Sequence, residues 1–543
     1  MAYIEPNTEA YFCKEVPLDP NYENTIYFSS QREQYNYFRS KAVEGMEKMT
    51  YQRKTRGWIR VGWSSDYHAF SVINSMYNVN YMMFKNDSFE NKWFYAFVDK
   101  VEYVNNNCVD VQYHIDVLQT WHFDYALNQC FIERQHTVTD NPGQHTVPEQ
   151  IEHGPYIDEL AQFDMDGVRE TSGRFRYTPC ICIALTFDPN EDSDIPIPTL
   201  DAGVVTGMFP EGSVFNGCYY IAVPANAVWG RVLMDILNGL ASDNKKDSVV
   251  GIFMFPSNLN PINNNGQQVV KTLNFIHYNT LGNYIPRNKK LLTNPYIKMY
   301  VSNNCGIASE YNLEDFYDNP IFKITANMNP GGGLLLWPTT YKEISGDNFD
   351  EAIQLNGFPP CAWTYDAFQA WLAQNAGTIV ASAMGLMMGW ATAIGRTAVG
   401  DPSAIASMPN LMAGTLMATG QVYDHATKPP QLSGNNNVTI TASTGLSTYS
   451  FYIKHIKLEY ARIIDSYFDM YGYKVNTVGV PNRTARRSYT YIKTIGCTIN
   501  GSVPADDTKE IEKIYDNGIR YWKYRPDLAI GNYDSAVNPN TVE

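Results

Sequence analysis

The stretch NKWFYAFVDKVEYVNNNCVDVQYHID, residues 91–116, is where the architecture first becomes readable. From Val109 to Asp116 apolar and polar side chains alternate one by one, the period that sends one face of a strand into a core and the other into water. Trp93 to Val104 is a second strand-like run, and Asn105-Asn106-Asn107 separates the two. Asn tolerates the positive φ of a tight turn, so the spacing predicts a β-hairpin. Outward from it the texture persists: 39 Tyr, 25 Phe, 37 Gly and 29 Pro describe short strands joined by turns. From about residue 160 to 360, Asp188-Pro189-Asn190, Ile195-Pro196-Ile197-Pro198, Pro256, Pro261, Pro286 and Gly331-Gly332-Gly333 interrupt every candidate element, which predicts one or two loop-rich β domains.

The end of the chain reads differently. Ile453, Ile456, Tyr460, Ile463, Ile464, Tyr467 and Tyr471 recur at spacings of three and four, which predicts an amphipathic helix ending at a Gly472 cap. A strand is expected over Tyr489 to Ile499. A second helix should follow, opened by a capping box of Asp507 and Glu510 and stopped at Asn517-Gly518. Helix, strand, helix, strand is the order of an α+β module with helices packed on a sheet. The expected class is therefore mainly β with α+β modules, in several domains.

Composition bounds the function. With 543 residues, 18% of them charged, and a mean hydropathy of −0.32, the chain is expected to be soluble and folded, with three or four domains. A net charge of −15 argues against tight wrapping of nucleic acid, since affinity for phosphates requires a basic surface. Nine cysteines without a CxxC pair suggest a reducing compartment, and the opening MAYIEPNTEAYFCKE has no signal-peptide pattern, so synthesis in a cytoplasm is expected.

One region breaks the pattern. Residues 367–395 are 29 consecutive positions without a formal charge, and residues 402–423 are another 22. Each is long enough for a helix to cross a hydrocarbon layer of about 30 Å. Arg396, Gly400 and Asp401 lie between them and, with Pro402 at the start of the second, read as the polar tip of a hairpin. Met384, Met387, Met388, Met408, Met412 and Met417 are flexible side chains suited to irregular apolar surroundings, and Gly385 and Gly389 permit close helix approach. Two readings follow: a hairpin buried for good at the centre of a large domain, or a segment stored away from water and later inserted into lipid. Seven glycines within the stretch favour the second, because Gly weakens a permanent core helix by about 1 kcal/mol relative to Ala. Exposed on a monomer such a segment would aggregate, so an oligomer that covers it is expected.

Catalytic and metal patterns are absent: no HExxH, GxSxG, GxxxxGK[ST] or GxGxxG occurs in a fitting context. No enzyme activity, metal or cofactor is expected. Cys180 and Cys182 read as buried small hydrophobes, Asp188, Asp192 and Asp194 as a solvated loop rather than a calcium site, and His114 and His122 as structural. Arg483, Arg486, Arg487 and Lys493 form the most basic patch, expected to be a solvated loop or a subunit salt bridge before a DNA contact.

Several stretches resemble the tail knob, or distal tail tube, proteins of small short-tailed bacteriophages that infect Gram-positive bacteria. They are NKWFYAFV at 91–98, IDVLQTW at 115–121, FIERQH at 131–136, YGYKVN at 471–476, PNRTARRSYTYIKT at 481–494 and DNGIRYW at 516–522. The resemblance covers about residues 20–140 and 450–525. It implies a tail-tube or hub-like fold assembled as a homohexameric ring at the virion's tail tip, in contact with other tail proteins. Residues 1–160 and 433–543 would form the tube wall, 161–360 inserted loop-rich β domains, and 361–432 a membrane-active loop. The family's hydrophobic loops plug the channel and then enter the host membrane, a role carried here onto Thr378 to Gly420. The penetrating side chains would be Ile379, Val380, Met384, Leu386, Met387, Met388, Trp390, Ile394, Ile405, Met408, Leu411, Met412, Leu416 and Met417. Genomic DNA would pass without sequence-specific binding, since six copies at −15 carry −90 and an acidic lumen repels phosphate. The rival readings are an adsorption protein whose aromatic rings grip cell-wall glycans and, behind it, a cell-wall hydrolase.

Overall fold

The computed structural model describes residues 7–49, 57–62, 75–87, 90–174, 179–191, 204–209, 215–224, 229–242, 244–256, 269–276, 278–303, 307–316, 318–326, 334–342, 351–355, 362–363, 365–366 and 449–543. Two compact units emerge. The first joins residues 1–153 and 458–543 with a short piece of the middle, Ile285–Leu291; the second comprises Gly154–Tyr284 and Leu292–Lys457.

The first unit holds two large sheets. One has six antiparallel strands in the order Ala42–Met49, Thr8–Lys14, Val79–Lys85, Phe94–Asn105, Cys108–Ile115 and Trp58–Gly62. Its neighbouring strands are close in sequence, and both of its faces are apolar. Tyr11, Cys13, Tyr81, Met83, Tyr95 and Phe97 enter one core, whereas Ala10, Phe12, Met82, Ala96, Val109 and Val111 enter another. Burial on both faces is why Tyr81-Met82-Met83-Phe84 is a continuous apolar run rather than an alternating one. The predicted hairpin is present, pairing Tyr103 with Val109 and Asn105 with Cys108. Its turn works by another device than the one expected. Asn106 and Asn107 do not take positive φ; instead Asn105 Oδ1 accepts the Asn107 amide at 2.8 Å.

The other sheet has five strands in the order Asn24–Tyr27, Ile519–Lys523, Tyr489–Ile495, Cys130–Gln135 and Tyr473–Gly479. Here the two ends of the chain interleave. Asn24–Tyr27 runs parallel to Ile519–Lys523, and Cys130–Gln135 lies between two C-terminal strands. Ile132, Ile492, Ile511, Tyr515, Ile519 and Tyr521 join Tyr81 and Phe97 in one hydrophobic cluster.

The predicted C-terminal helices need correction at their starts. Ile453 and Ile456 do not belong to a helix; they are buried in the strand Ser450–Ile456 of the second unit, and the helix begins at Leu458. An alternating strand followed by a helix mimicked one long 3.6-residue stripe. Ile463 is 67% exposed, while Ala461, Ile464, Asp465, Phe468 and Asp469 form the buried face, so two carboxylates occupy positions that a purely apolar stripe leaves out. Gly472 does cap this helix, with φ +62 and its amide donating to the Phe468 carbonyl at 2.8 Å. In the helix Ala505–Asn517 the expected capping box does not form. Pro504 is the N-cap and no side chain caps it; Asp507 instead accepts the indole N–H of Trp121 at 2.7 Å. Gly518 closes the helix at φ +95, as Asn517-Gly518 suggested.

The second unit contains three antiparallel sheets. Four strands run in the order Tyr156–Leu160, Ser450–Ile456, Ile297–Ser302 and Ala308–Tyr311. Six run as Val168–Glu170, Phe163–Met165, Val269–Phe275, Ile321–Ala326, Leu334–Pro338 and Ile353–Leu355, and five as Val205–Met208, Tyr219–Pro224, Pro179–Leu185, Val249–Pro256 and Ala362–Trp363. Among the described residues between 160 and 360, strands predominate.

Candidate functional site

The fourteen apolar side chains assigned above to membrane entry, from Ile379, Val380, Met384, Leu386, Met387, Met388, Trp390 and Ile394 to Ile405, Met408, Leu411, Met412, Leu416 and Met417, lie outside the described residues. What is described is how the second unit fixes Tyr365 before that segment and Tyr449 after it. On the leading side the Tyr365 hydroxyl donates to the Leu237 carbonyl at 2.8 Å, in the helix Trp229–Ser242. On the returning side Tyr449, fully buried, donates to the Ile353 carbonyl at 2.8 Å, and the chain then enters the strand Ser450–Ile456. Each hydroxyl satisfies a backbone acceptor; the Tyr449 ring is buried and the Tyr365 ring partly so. Among the described residues no helix is long and apolar enough to cross a membrane.

In the first unit the most concentrated chemistry is a buried polar clasp around the visiting piece Ile285–Leu291. Asp465, whose side chain is fully buried, accepts the backbone amides of Arg287 and Asn288 at 2.9 and 3.0 Å and the Asn288 side-chain amide at 2.8 Å. One helical turn later Asp469 accepts from Asn288 at 2.7 Å and pairs with Arg287 at 2.6 Å. Burial raises the Asp469 pKa, with Arg287 working against the shift. Lys290 donates to Glu149 at 2.6 Å; Glu149 also accepts the Lys474 amide at 2.8 Å and pairs with Arg134. Burial lowers the Lys290 pKa despite its carboxylate partner. Asp140 accepts the Tyr473 hydroxyl at 2.6 Å. Every anion here is matched by donors, so the cluster can hold three distant parts of the chain together but presents no reactive group. Composition and spacing did not single it out. The available cue was an acid pair four residues apart on the apolar stripe of a helix.

The predicted basic patch is not a patch. Arg483 stands over the rings of Tyr27 and Tyr125 at 5.5 and 5.6 Å, and its Nη1 is buried with no hydrogen-bond partner among the described residues. Arg486 is 3% exposed, Lys493 pairs with Glu133 at 2.8 Å, and Arg487 alone of the four is exposed. Two of the four cations are internal because the loop 481–488 folds inward between aromatic side chains and the C-terminal tail, where Arg487 N donates to the Thr541 carbonyl at 3.0 Å.

The remaining predicted residues have structural surroundings. His122 is buried against Phe28 with its pKa pushed down to about 4 by burial, and half-exposed His114 lies 2.8 Å from Asp99. Cys182 is buried among Phe209, Tyr220 and Phe253. Asp188 accepts the Asn190 amide at 2.9 Å in a local turn; Asp192 and Asp194 lie outside the described residues.

Comparison with known proteins fits this architecture. Residues 259–538, more than half of the chain, match the family described as the C-terminal domain of Bacillus phage phi29 tail knob protein gp9. The chain belongs to the tail knob gp9 family. Residues 6–126 also match the N-terminus of caudoviral major tail proteins. Tail knob protein gp9 of Bacillus phage PZA is 26% identical over 98% of this chain and 99% of its own length, and that of Bacillus phage phi29 is 25% identical over the same shares. Among solved structures, the tail knob protein gp12 of bacteriophage C1 has the same fold, with a TM-score of 0.60 at 14% identity over 99% of this chain and 100% of that one. The tail knob family thus places this chain among structural components of a phage tail.

Proposed function

We propose that this tail knob protein forms the distal tube of the tail, six copies closing a channel through which the genome leaves. The first unit would be the tube wall, the second an inserted body carrying the apolar loop. Residues Thr378 to Gly420 plug the channel and, on triggering, enter the host cytoplasmic membrane. The observation that carries this reading is the pair of charge-free runs, 367–395 and 402–423, in a protein of the tail knob family. The net charge supports the conduit: −15 per copy gives −90 for six, and an acidic lumen lets DNA slide without sticking. The relatives are tail knob proteins, which supports a role without catalysis.

Deleting residues 378–420 tests the proposal. The deleted protein should still assemble into sixfold rings by electron microscopy and should no longer release dye from loaded liposomes. Leakage that persists unchanged sinks the assignment of the loop, and a monomer in place of rings sinks the channel.

A further inference from the structure

A cavity of about 650 Å³ opens in the first unit, lined by none of the residues of the clasp. It forms where the turn before Phe94–Asn105, the first turn of the helix Gln31–Ser40 and the chain after Thr120 converge. Its size falls within the range of small-molecule sites. Glu90 and Asn91 on its rim both take left-handed backbone, φ +53 and +56, a conformation L residues adopt at a cost and one that concentrates at binding sites.

The wall combines flat rings with hydrogen-bonding amides. Trp93, Trp121 and Phe123 supply the rings. Trp121 is held by its bond to Asp507 and by the Lys92 ammonium 3.9 Å from its ring centre, whereas Phe123 is 36% exposed and available for stacking. Gln31, Gln34 and Asn91 supply the amides. Gln34 is only 3% exposed; its nitrogen donates to the Gln119 carbonyl and side-chain oxygen at 2.8 and 2.9 Å, and its Oε1 has no donor among the described residues. Lys92, the one cation among the described lining residues, is paired with Asp124, and Glu90 adds a second carboxylate. Such a wall disfavours phosphate, nucleic acid and acidic polymers. An uncharged ring with an apolar C–H face and several hydroxyls matches it, the face stacking on Phe123 and the hydroxyls meeting amide and carboxylate oxygens.

We propose that this cavity binds a neutral sugar, a hexose or N-acetylhexosamine unit of a surface glycan. The inference stands independently of the channel and of the apolar loop. It is tested on the full chain by saturation-transfer NMR and by the emission of Trp93 and Trp121, with maltotetraose and chitotetraose as neutral probes and heparin as the anionic one. At least one neutral oligosaccharide should receive saturation and shift the emission. Phe123→Ala should weaken that binding about tenfold, as expected for loss of a stacked ring. Asn91→Gly, which keeps the left-handed backbone, should weaken it about threefold, with the melting temperature of both variants unchanged. The proposal is overturned by no response to either neutral probe, by affinity unaltered in both variants, or by heparin binding more tightly than the neutral sugars. An emission change that follows protein concentration alone would identify the cavity as a contact between copies and overturn it equally.

Discussion

The two sheets of the first unit are built from different distances along the chain. In the six-stranded sheet Phe94–Asn105 joins Cys108–Ile115 across a two-residue turn, and every strand lies within residues 8–115. In the five-stranded sheet Asn24–Tyr27 pairs with Ile519–Lys523, and Cys130–Gln135 with Tyr489–Ile495. The first is ordered by turns and by apolar packing on both faces. The second closes long loops, whose entropy must be offset by contacts that only the finished structure supplies. Those contacts are the shared hydrophobic cluster and, beside the strand Tyr473–Gly479, the polar clasp around Ile285–Leu291. A buried ion network there fixes which distant segments meet, a use in which specificity counts for more than net stability.

The largest expected effect follows from that contrast. Asp465→Ala removes a buried acceptor on which the backbone amides of Arg287 and Asn288 converge, which should cost about 3–5 kcal/mol. Asp110→Ala in the local sheet removes a pairing with Arg60, whose side chain is 42% exposed, and should cost clearly less because water takes over the guanidinium. Urea unfolding of the two variants measures both, and equal losses would show that the clasp carries no special share. Gly472→Ala should come next, at about 2–4 kcal/mol. Its φ of +62 is strained for any other residue, and a Cβ would meet the Gln135 carbonyl at 2.4 Å. Thermal melting of Gly472→Ala beside Gly496→Ala, where φ is +67 and the space is open, separates the clash from the backbone strain.

Acid should divide the sheets as well. His136, at the end of Cys130–Gln135, donates from Nε2 to the Asp469 carbonyl and accepts the Tyr491 amide on Nδ1, and burial pushes its pKa down to about 3. The unfolded chain takes up this proton near pH 6.5 and the folded chain does not, so stability is lost as pH falls below 6.5, by about 2 kcal/mol at pH 5. Asp116, at the end of the local hairpin, has the opposite sign. Burial raises its pKa to about 6, so the folded state binds the proton first and stability rises as pH falls from 6, by about 1 kcal/mol at pH 5. Urea midpoints between pH 7 and pH 5 should therefore decline less in His136→Gln than in the unaltered chain and more in Asp116→Asn. The reverse pattern would mean that the two groups do not titrate as their burial requires.

The same contrast explains what could be read from residues alone. Val109 to Asp116 was legible because its partner strand is adjacent and its alternation is local. The charge-free runs at 367–395 and 402–423 were legible as composition. No local signal says that Asn24–Tyr27 pairs with Ile519–Lys523, or that Asn288 fits between Asp465 and Asp469, because those choices are made by side chains hundreds of residues apart. Asp507 shows the limit most plainly: its spacing to Glu510 suits a capping box, but an indole from the other end of the chain claims the carboxylate. Arg483 and Arg486 looked like a surface patch for the same reason, since nothing nearby announces the tyrosines and the tail that cover them.

The smallest expected effect sharpens the local half of the comparison. Asn105→Ala removes the acceptor that its side chain offers to the Asn107 amide in an exposed turn. Water can replace that acceptor, so the loss should be about 0.5–1 kcal/mol, the net worth of one hydrogen bond. Asn105→Asp keeps the acceptor and should stay near the unaltered stability. A loss from Asn105→Ala as large as that from Asp465→Ala would reverse the ranking, placing control of the first unit in the hairpin turn rather than in the contacts between the chain's two ends. Hydrogen exchange at Val109 and Val111 distinguishes local fraying from such a global effect. If the turn is only a local device, exchange there should quicken while the amide of Tyr491, bound to His136, keeps its protection.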